Sequence, residues 1–165
     1  MHLEGKLDRI HQSYLSLYQK WFAPFQTENF SLLEIGIDDG ESLRMWRDGF
    51  PNARIFGIDI SPYCYLEGEP RITTIIGDAG NLEFLKHIMP IPNLKIVIDD
   101  AGHQYHQQIE SFNFFSKQLP VGGFYVVEDL EISPQIIHYL NERVVKKQEF
   151  SIHPNRKIVF LKKEK

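Results

Sequence analysis

The sequence predicts an α/β fold with a mostly parallel sheet that helices cover on both faces. Two observations support this prediction: short apolar runs show no polar alternation, and segments with helical periodicity separate them. A third observation concerns the last part of the chain, where two alternating segments flank a turn sequence and predict an antiparallel hairpin. In such sheets, ligands bind beyond the carboxyl ends of the strands.

The first predicted element is an amphipathic helix from Asp8 to Phe22. Its aromatic residues include Tyr14, Tyr18 and Trp21, which recur at spacings of three and four residues. Pro24 marks the end of this helix, because proline cannot continue a helical hydrogen-bond ladder.

The remaining elements alternate along the chain. The predicted strands are Ser31–Ile35, Arg54–Ile60, Ile72–Ile76, Leu94–Ile98 and Phe124–Val127. The predicted helices between them begin at Ser42 and cover Leu82–Ile88 and His106–Leu119. After Asp129, a helix from Pro134 to Lys147 precedes the two hairpin segments, Glu149–Ile152 and Ile158–Leu161, with the turn at His153-Pro154-Asn155-Arg156.

Composition limits the classes of function. The 165 residues fit a single domain, 1–165, and 42% of them are hydrophobic, so the chain can bury a core. A net charge of -4 lacks the basic character of a nucleic-acid binder. The basic residues near the C-terminus either protect an edge strand or form a patch for an anionic acceptor. Cys64 is the single cysteine, and the sequence shows neither a signal peptide nor a membrane-spanning run, so we expect a cytoplasmic protein without a membrane partner.

A strand, a glycine-containing loop and a helix start follow one another from Leu33 to Ser42. Gly36 and Gly40 allow a sharp turn and a close approach of the backbone to a ligand. The loop is strongly acidic, so it would repel a pyrophosphate but not a ligand with a sulfonium and an ammonium group. The dinucleotide motif GxGxxG is absent. Alone, the segment fits an ordinary tight turn equally well.

Two further acids follow the second and third strands. Asp59 ends the second strand, where an acidic side chain commonly binds ribose hydroxyls. Asp78 follows the third strand and is placed either to accept from an adenine amino group or to cap the next helix. The two positions favour a nucleoside ligand.

Acidic residues also follow the next two strands. Asp99-Asp100-Ala101-Gly102-His103 comes after one apolar run and Glu128-Asp129 after the next. Adjacent parallel strands lie about 4.8 Å apart, so these side chains can share one ion. Three of these carboxylates on one ion suit a hard cation such as magnesium, and an imidazole beside them suits a base.

These residues, in this order, resemble the class I S-adenosylmethionine-dependent methyltransferases. Ser31–Ser61 is more narrowly similar to the metal-dependent sugar O-methyltransferases of macrolide and rhamnosyl-tetracenomycin biosynthesis. Their motifs D-D-G-[SG]-H and P-x-G-G-x-Y-x-x-E-D correspond here to Asp99–His103 and Pro120–Asp129. The resemblance covers roughly residues 7–132. It implies a Rossmann-like class I methyltransferase sandwich with a mostly parallel seven-stranded sheet and a C-terminal antiparallel hairpin.

The resemblance also implies roles for single residues. His103 would be the base, and Tyr14 resembles part of an N-terminal family segment near the ligand, although a core tyrosine explains it as well. A magnesium ion would be held by Asp100, Glu128 and Asp129. S-adenosylmethionine would be bound by Glu34, Gly36, Gly40, Ser42, Asp59, Ile60, Asp78, Ala79 and Asp99.

The sequence departs from the family at two places, and the second concerns the acceptor, which the resemblance implies is a sugar or another polyhydroxylated small molecule. Ala101 replaces a family glycine, and the segment Leu130–Gln148 is shorter than the family's insertion. The acceptor pocket is therefore shallow or completed by another subunit of a homo-oligomer. Two alternative functions stay open: a cofactor-binding module that lacks turnover or requires a partner subunit, and an NAD-dependent oxidoreductase that uses Asp59 for its ribose.

Overall fold

The structure is a computed structural model that describes residues 9–102, 105–129, 138–139, 150–155 and 158–165. Its helices are α1 (Arg9–Phe22), α2 (Glu41–Gly49), α3 (Leu82–Ile88) and α4 (Tyr105–Phe115). Its strands are β1 (Ser31–Ile35), β2 (Arg54–Asp59), β3 (Ile72–Ile76), β4 (Leu94–Asp99), β5 (Phe124–Val127), β6 (Phe150–Asn155) and β7 (Ile158–Lys163).

The strands form one seven-stranded sheet in the order β3-β2-β1-β4-β5-β7-β6. Strands β1 to β5 pair in parallel, whereas β7 is antiparallel to both of its neighbours. This topology confirms the predicted α/β fold and the antiparallel C-terminal hairpin. The carboxyl ends of β1 to β5 therefore meet at one edge of the sheet, which is where the predicted site residues follow the strands.

Several element ends differ from the prediction by one or two residues, and two differ by more. Helix α4 stops at Phe115 instead of Leu119, because the turn that follows it is tied to β7: Lys163 Nζ donates to the carbonyl oxygens of Ser116 at 2.9 Å and Leu119 at 2.8 Å. The predicted turn at His153–Arg156 is wrong in its start, since β6 continues to Asn155. Pro154 fits there because β6 is an edge strand, where a missing N–H costs little. Of the predicted helix Pro134–Lys147, only residues 138–139, which are helical, lie within the described residues.

Both faces of the sheet are covered, which explains the continuous apolar runs. Leu32 and Leu33 are adjacent in β1 and both fully buried, one in the core beneath α1 and α2 and the other in the core beneath α3 and α4. Aromatic rings fill the first core: Tyr18 lies 4.8 Å from Trp46 and 5.3 Å from Phe160 between ring centroids, in edge-to-face geometry. This packing fixes α1 against the sheet. None of the helices in the described part of the chain is long and apolar enough to cross a membrane.

Candidate active site

A cleft of about 440 Å³ opens at the carboxyl ends of β1 to β4. This volume lies in the range of small-molecule sites. The charged side chains that line it, among the described residues, are all aspartates: Asp38, Asp59, Asp78, Asp99 and Asp100. An acidic lining of this kind favours a ligand with positive charge or with hydroxyl and amino donors.

Gly36 joins two loops at the floor of the cleft. Its φ is +84°, and a β-carbon placed on it would lie 2.4 Å from the carbonyl oxygen of Asp100. The backbone after β4 thus packs directly against the loop after β1. This contact between the two loops requires a glycine. It is a second role for Gly36, in addition to the close approach to a ligand that the sequence suggested.

Asp59 is held by backbone donors. Its Oδ2 accepts from the N–H of Ile37 at 2.9 Å and its Oδ1 from the N–H of Ser61 at 2.8 Å. Burial alone would raise the pKa of Asp59, but these bonds and one from Cys64 together lower it below its ordinary value. The side chain is therefore ionised and fixed in orientation at the edge of the cleft.

Asp78 lies in the cleft wall after β3, and its Oδ1 accepts from the N–H of Gly80 at 2.8 Å. The N-cap of α3 is Asn81, whose Oδ1 accepts from the N–H groups of Glu83 and Phe84. The interpretation of Asp78 as the helix cap is therefore wrong, and Asp78 is available to the cleft.

Asp99 ends β4 in a buried position, with 1% of its surface exposed. Its Oδ2 accepts from the hydroxyl of Tyr125 at 2.7 Å. Burial and the charge of Asp99 raise the pKa of the Tyr125 hydroxyl well above its ordinary value, so this hydroxyl stays a donor. Asp99 is thus oriented from β5 while it borders the cleft.

A second group of carboxylates lies beneath α1. The buried Glu34 accepts from the indole N–H of Trp46 at 3.0 Å. Two hydroxyls of α1 reach across to the end of β5: Tyr14 donates to Asp129 Oδ1 at 2.9 Å, and Tyr18 donates to Glu128 Oε1. Tyr14 and Tyr18 are one helical turn apart, so the same face of α1 supplies both donors.

Negative charge is concentrated in this second group. Burial, followed by the charges of Glu128 and Asp100, raises the pKa of Glu34 well above its ordinary value. Burial and the charge of Glu128 likewise raise the pKa of Tyr18. A buried carboxyl with carboxylate neighbours favours its proton, and a cation placed among these groups would relieve the same repulsion.

The backbone conformation at Asp129 places two consecutive acidic side chains on the side that faces α1. Successive residues of a strand point to opposite faces, so an extended chain would separate Glu128 from Asp129. The φ of Asp129 is +45°, in the left-handed region, and both carboxylates receive hydroxyls from α1. Such strain in a non-glycine residue is typical of functional sites.

The predicted site residues fall into groups. Six predicted cofactor residues line the cleft, namely Gly36, Asp59, Ile60, Asp78, Ala79 and Asp99. Glu34 and Ser42 instead border a cavity of about 10 Å³ beneath α1, which Glu128 also lines. Gly40 caps α2 with a φ of +76°, in the left-handed region, so the turn favours the glycine.

The predicted metal ligands are near one another at the ends of β4 and β5. Asp100 and Glu128 both act electrostatically on Glu34 and on Tyr14. In the part of the chain that the structure describes, however, no group of three or more His, Cys, Asp or Glu side chains is arranged so that it could hold a metal ion. The predicted base, His103, lies outside the described residues.

The sequence did not identify several residues of these two regions. Tyr18 and Trp46 had only the periodicity of core aromatic residues as a signal. Gln107, Gln108 and Ser111 of α4 also line the cleft. Their spacing on a helix that follows the Asp99–His103 motif was the available signal, but polar residues early in a helix usually face solvent.

Comparisons with known proteins agree with this geometry. The 8-demethyl-8-alpha-L-rhamnosyl tetracenomycin-C 2'-O-methyltransferase of Streptomyces olivaceus is 36% identical over 132 residues, which are 75% of this chain and 34% of that protein. The mycinamicin VI 2''-O-methyltransferase of Micromonospora griseorubida is 36% identical over 121 residues, 68% of this chain and 30% of that protein. The chain thus spans about a third of the length of the curated relatives it matches.

Solved structures give the same result. The MycE methyltransferase from the mycinamycin biosynthetic pathway, in complex with Mg, SAH and mycinamycin VI, superposes with a TM-score of 0.79 at 26% identity. The match covers 92% of this chain and 49% of that one. No model of a known protein family matches the chain. The resemblance found in the sequence is confirmed.

Proposed function

Because the chain has the class I methyltransferase fold and resembles sugar O-methyltransferases, we propose that it transfers a methyl group from S-adenosylmethionine to a hydroxyl of a sugar or similar polyhydroxylated molecule. One observation carries the proposal: two acidic clusters follow the adjacent parallel strands β4 and β5, directly beside an acidic cleft of cofactor size. The cleft would hold the cofactor, and the clusters would hold the acceptor and its activating groups.

The cleft fits S-adenosylmethionine by its chemistry. The ionised and oriented Asp59 would accept from the ribose hydroxyls. Asp78 would accept from the adenine amino group, and Asp99 and the acidic lining would favour the cationic methionine part. Glu34, Gly40 and Ser42 do not line the cleft. They would contribute to cofactor binding indirectly, through the loop after β1 and the start of α2.

The carboxylates at the ends of β4 and β5 suit magnesium by their chemistry, although the described residues are not arranged as a metal site. Asp100, Glu128 and Asp129 offer only carboxylate oxygens, and the charges of Glu128 and Asp100 add to the effect of burial in raising the pKa of Glu34. When bound, the ion would supply Lewis-acid polarisation of an acceptor hydroxyl. His103 would accept the proton of that hydroxyl, while Tyr14 and Tyr18 hold the carboxylates of Asp129 and Glu128 in place.

The proposal also covers the location, the domain extent and the partners of the protein. We place the protein in the cytoplasm as a single domain over residues 1–165, with a small-molecule acceptor and neither a nucleic-acid nor a membrane partner. A second copy of the chain, in a homo-oligomer, would complete a shallow acceptor pocket.

The test measures methyl transfer and cofactor binding separately. Methyl transfer to a panel of rhamnosylated acceptors should be lost in EDTA and in His103→Ala, while S-adenosylhomocysteine binding by calorimetry stays unchanged. His87→Ala, which alters an exposed histidine of α3, is the matched control. Activity that survives both EDTA and His103→Ala would refute the metal-assisted mechanism. Thermal stabilisation by NAD but not by S-adenosylhomocysteine would favour an oxidoreductase instead.

A further inference from the structure

Gln108 is a buried polar residue in the wall of the cleft. It belongs to α4 and exposes 5% of its surface. Its side-chain Nε2 is buried and has no hydrogen-bond partner among the described residues. Buried amide nitrogens in folded proteins almost always have a partner, so this atom indicates a bound group that accepts a hydrogen bond.

The neighbours of Gln108 locate it beside the loop after β3. Ser111, one helical turn further along α4, donates to the carbonyl oxygen of Ala79 at 3.4 Å. Gln107 approaches the same loop, since a β-carbon on Gly80 would lie 3.8 Å from its Cγ. The first turns of α4 thus pack against residues 77–80, on the side of the cleft where Asp78 lies.

The chemistry of the lining indicates which hydrogen-bond acceptor of the ligand Gln108 binds. The charged side chains of the described lining are all aspartates, which in ionised form only accept hydrogen bonds. They match hydroxyl, amino and cationic groups, and they would repel the carboxylate of the methionine part. A purine ring has acceptor nitrogens that aspartates cannot satisfy, and a neutral buried amide can.

We propose that Gln108 recognises the adenine ring of the cofactor, with its Nε2 donating to a ring nitrogen. The inference rests on the proposed function, because it assumes that S-adenosylmethionine occupies the cleft. Gln108 and Asp78 then bind different groups of adenine. The amide donates to a ring nitrogen, and the carboxylate accepts from the amino group. A base with the opposite donor and acceptor pattern would leave both groups unsatisfied.

Calorimetry with modified ligands tests the proposal. Wild-type chain is titrated with S-adenosylhomocysteine and with three analogues in which N1, N3 or N7 is replaced by C–H. We expect about tenfold weaker binding of one analogue, as for the loss of one buried hydrogen bond. Gln108→Met, which keeps the length and removes the amide, should bind S-adenosylhomocysteine about tenfold more weakly and should no longer distinguish that analogue. Gln118→Met, at an exposed glutamine after α4, is the control.

The possible outcomes separate a failure of the inference from a failure of the proposed function. Three analogues that all bind the wild-type chain as tightly as S-adenosylhomocysteine would refute the inference without any variant. Unchanged binding in Gln108→Met would refute it as well. If circular dichroism shows that Gln108→Met is unfolded, Gln108→Asn is used, and equal discrimination in that variant and the wild type counts against the proposal. Failure of the wild-type chain to bind S-adenosylhomocysteine would instead refute the proposed function.

Discussion

The cleft and the region beneath α1 both place carboxylates at the ends of parallel strands, but the two regions treat those carboxylates differently. In the cleft, backbone N–H groups of Ile37 and Ser61 bond Asp59 and contribute to a pKa below its ordinary value. Beneath α1, burial and the neighbouring acids raise the pKa of Glu34. An acidic residue reaches the site because it lies near a strand end. Its hydrogen-bond donors and its access to solvent then determine whether it is ionised.

This difference separates two tasks. A fixed and ionised carboxylate such as Asp59 suits the recognition of hydroxyl groups on a ligand. Crowded carboxylates held by side-chain hydroxyls, such as Glu128 and Asp129, suit a cation. Three substitutions test this division, in order of decreasing expected effect.

The largest effect is expected from Asp59→Ala, because it removes a charged acceptor from the cleft. The affinity for S-adenosylhomocysteine should fall by between about tenfold and a hundredfold, the usual range for a hydrogen bond to a charged group. Calorimetry measures the change. Binding of Mn²⁺ beneath α1 should stay as in the wild type.

Asp48→Ala removes an exposed aspartate of α2 that pairs with Arg47 outside the cleft, and serves as the control. Wild-type affinity in Asp59→Ala would mean that Asp59 only shapes the loops through Ile37 and Ser61. An equal loss of Mn²⁺ binding would mean that the two regions are not separate.

A smaller effect is expected from Tyr18→Phe. The hydroxyl of Tyr18 donates to Glu128, and loss of a hydrogen bond that orients a ligating carboxylate should weaken metal affinity by about tenfold. Electron paramagnetic resonance of Mn²⁺ measures this affinity directly. The affinity for S-adenosylhomocysteine without metal should not change.

Tyr63→Phe is the matched control, since the side chain of Tyr63 is 95% exposed. Unchanged Mn²⁺ affinity in Tyr18→Phe would show that the hydroxyl serves only the packing of α1. Stronger affinity would show that it competes with the metal for Glu128.

The sequence predicted the fold well where local pattern decides it. The bounds of β1, β3, β5 and α3 agree with the prediction, because each apolar or amphipathic run ends at turn residues. The end of α4 was missed, since carbonyls of the turn that follows it are bound by Lys163, which is distant in the sequence. Long-range contacts of this kind leave no local signal.

The same reason limited the prediction of the site. Asp59 and Asp78 were predicted to face a ligand because they follow strands, Asp99 because of the family resemblance, and all three line the cleft. Tyr14 was expected near the ligand, but Tyr18 was not predicted as a donor, since it meets Glu128 only through the packing of α1 on the sheet. Periodicity marks a core aromatic residue but does not indicate where its polar atom points.

The smallest effect is expected from Glu34→Gln and concerns stability. The native state keeps a proton on Glu34 that the unfolded chain loses at its ordinary pKa, about 4.3. Wild-type stability therefore falls as pH rises from that value toward the raised native pKa, because the native state then binds more protons than the unfolded state. Glutamine keeps an acceptor for the indole N–H of Trp46 and does not titrate.

Thermal denaturation in EDTA should thus give equal Tm values for Glu34→Gln and wild type near about pH 4. Near about pH 8, the variant should be more stable by about 3 °C, which corresponds to about 1 kcal/mol in a chain of this size. Glu67→Gln, at an exposed glutamate, should show no such difference. A Tm difference for Glu34→Gln that is independent of pH would mean that Glu34 is ionised in the native state. The negative charge beneath α1 would then be larger than we infer, and the contrast with the cleft would lie in the donors alone.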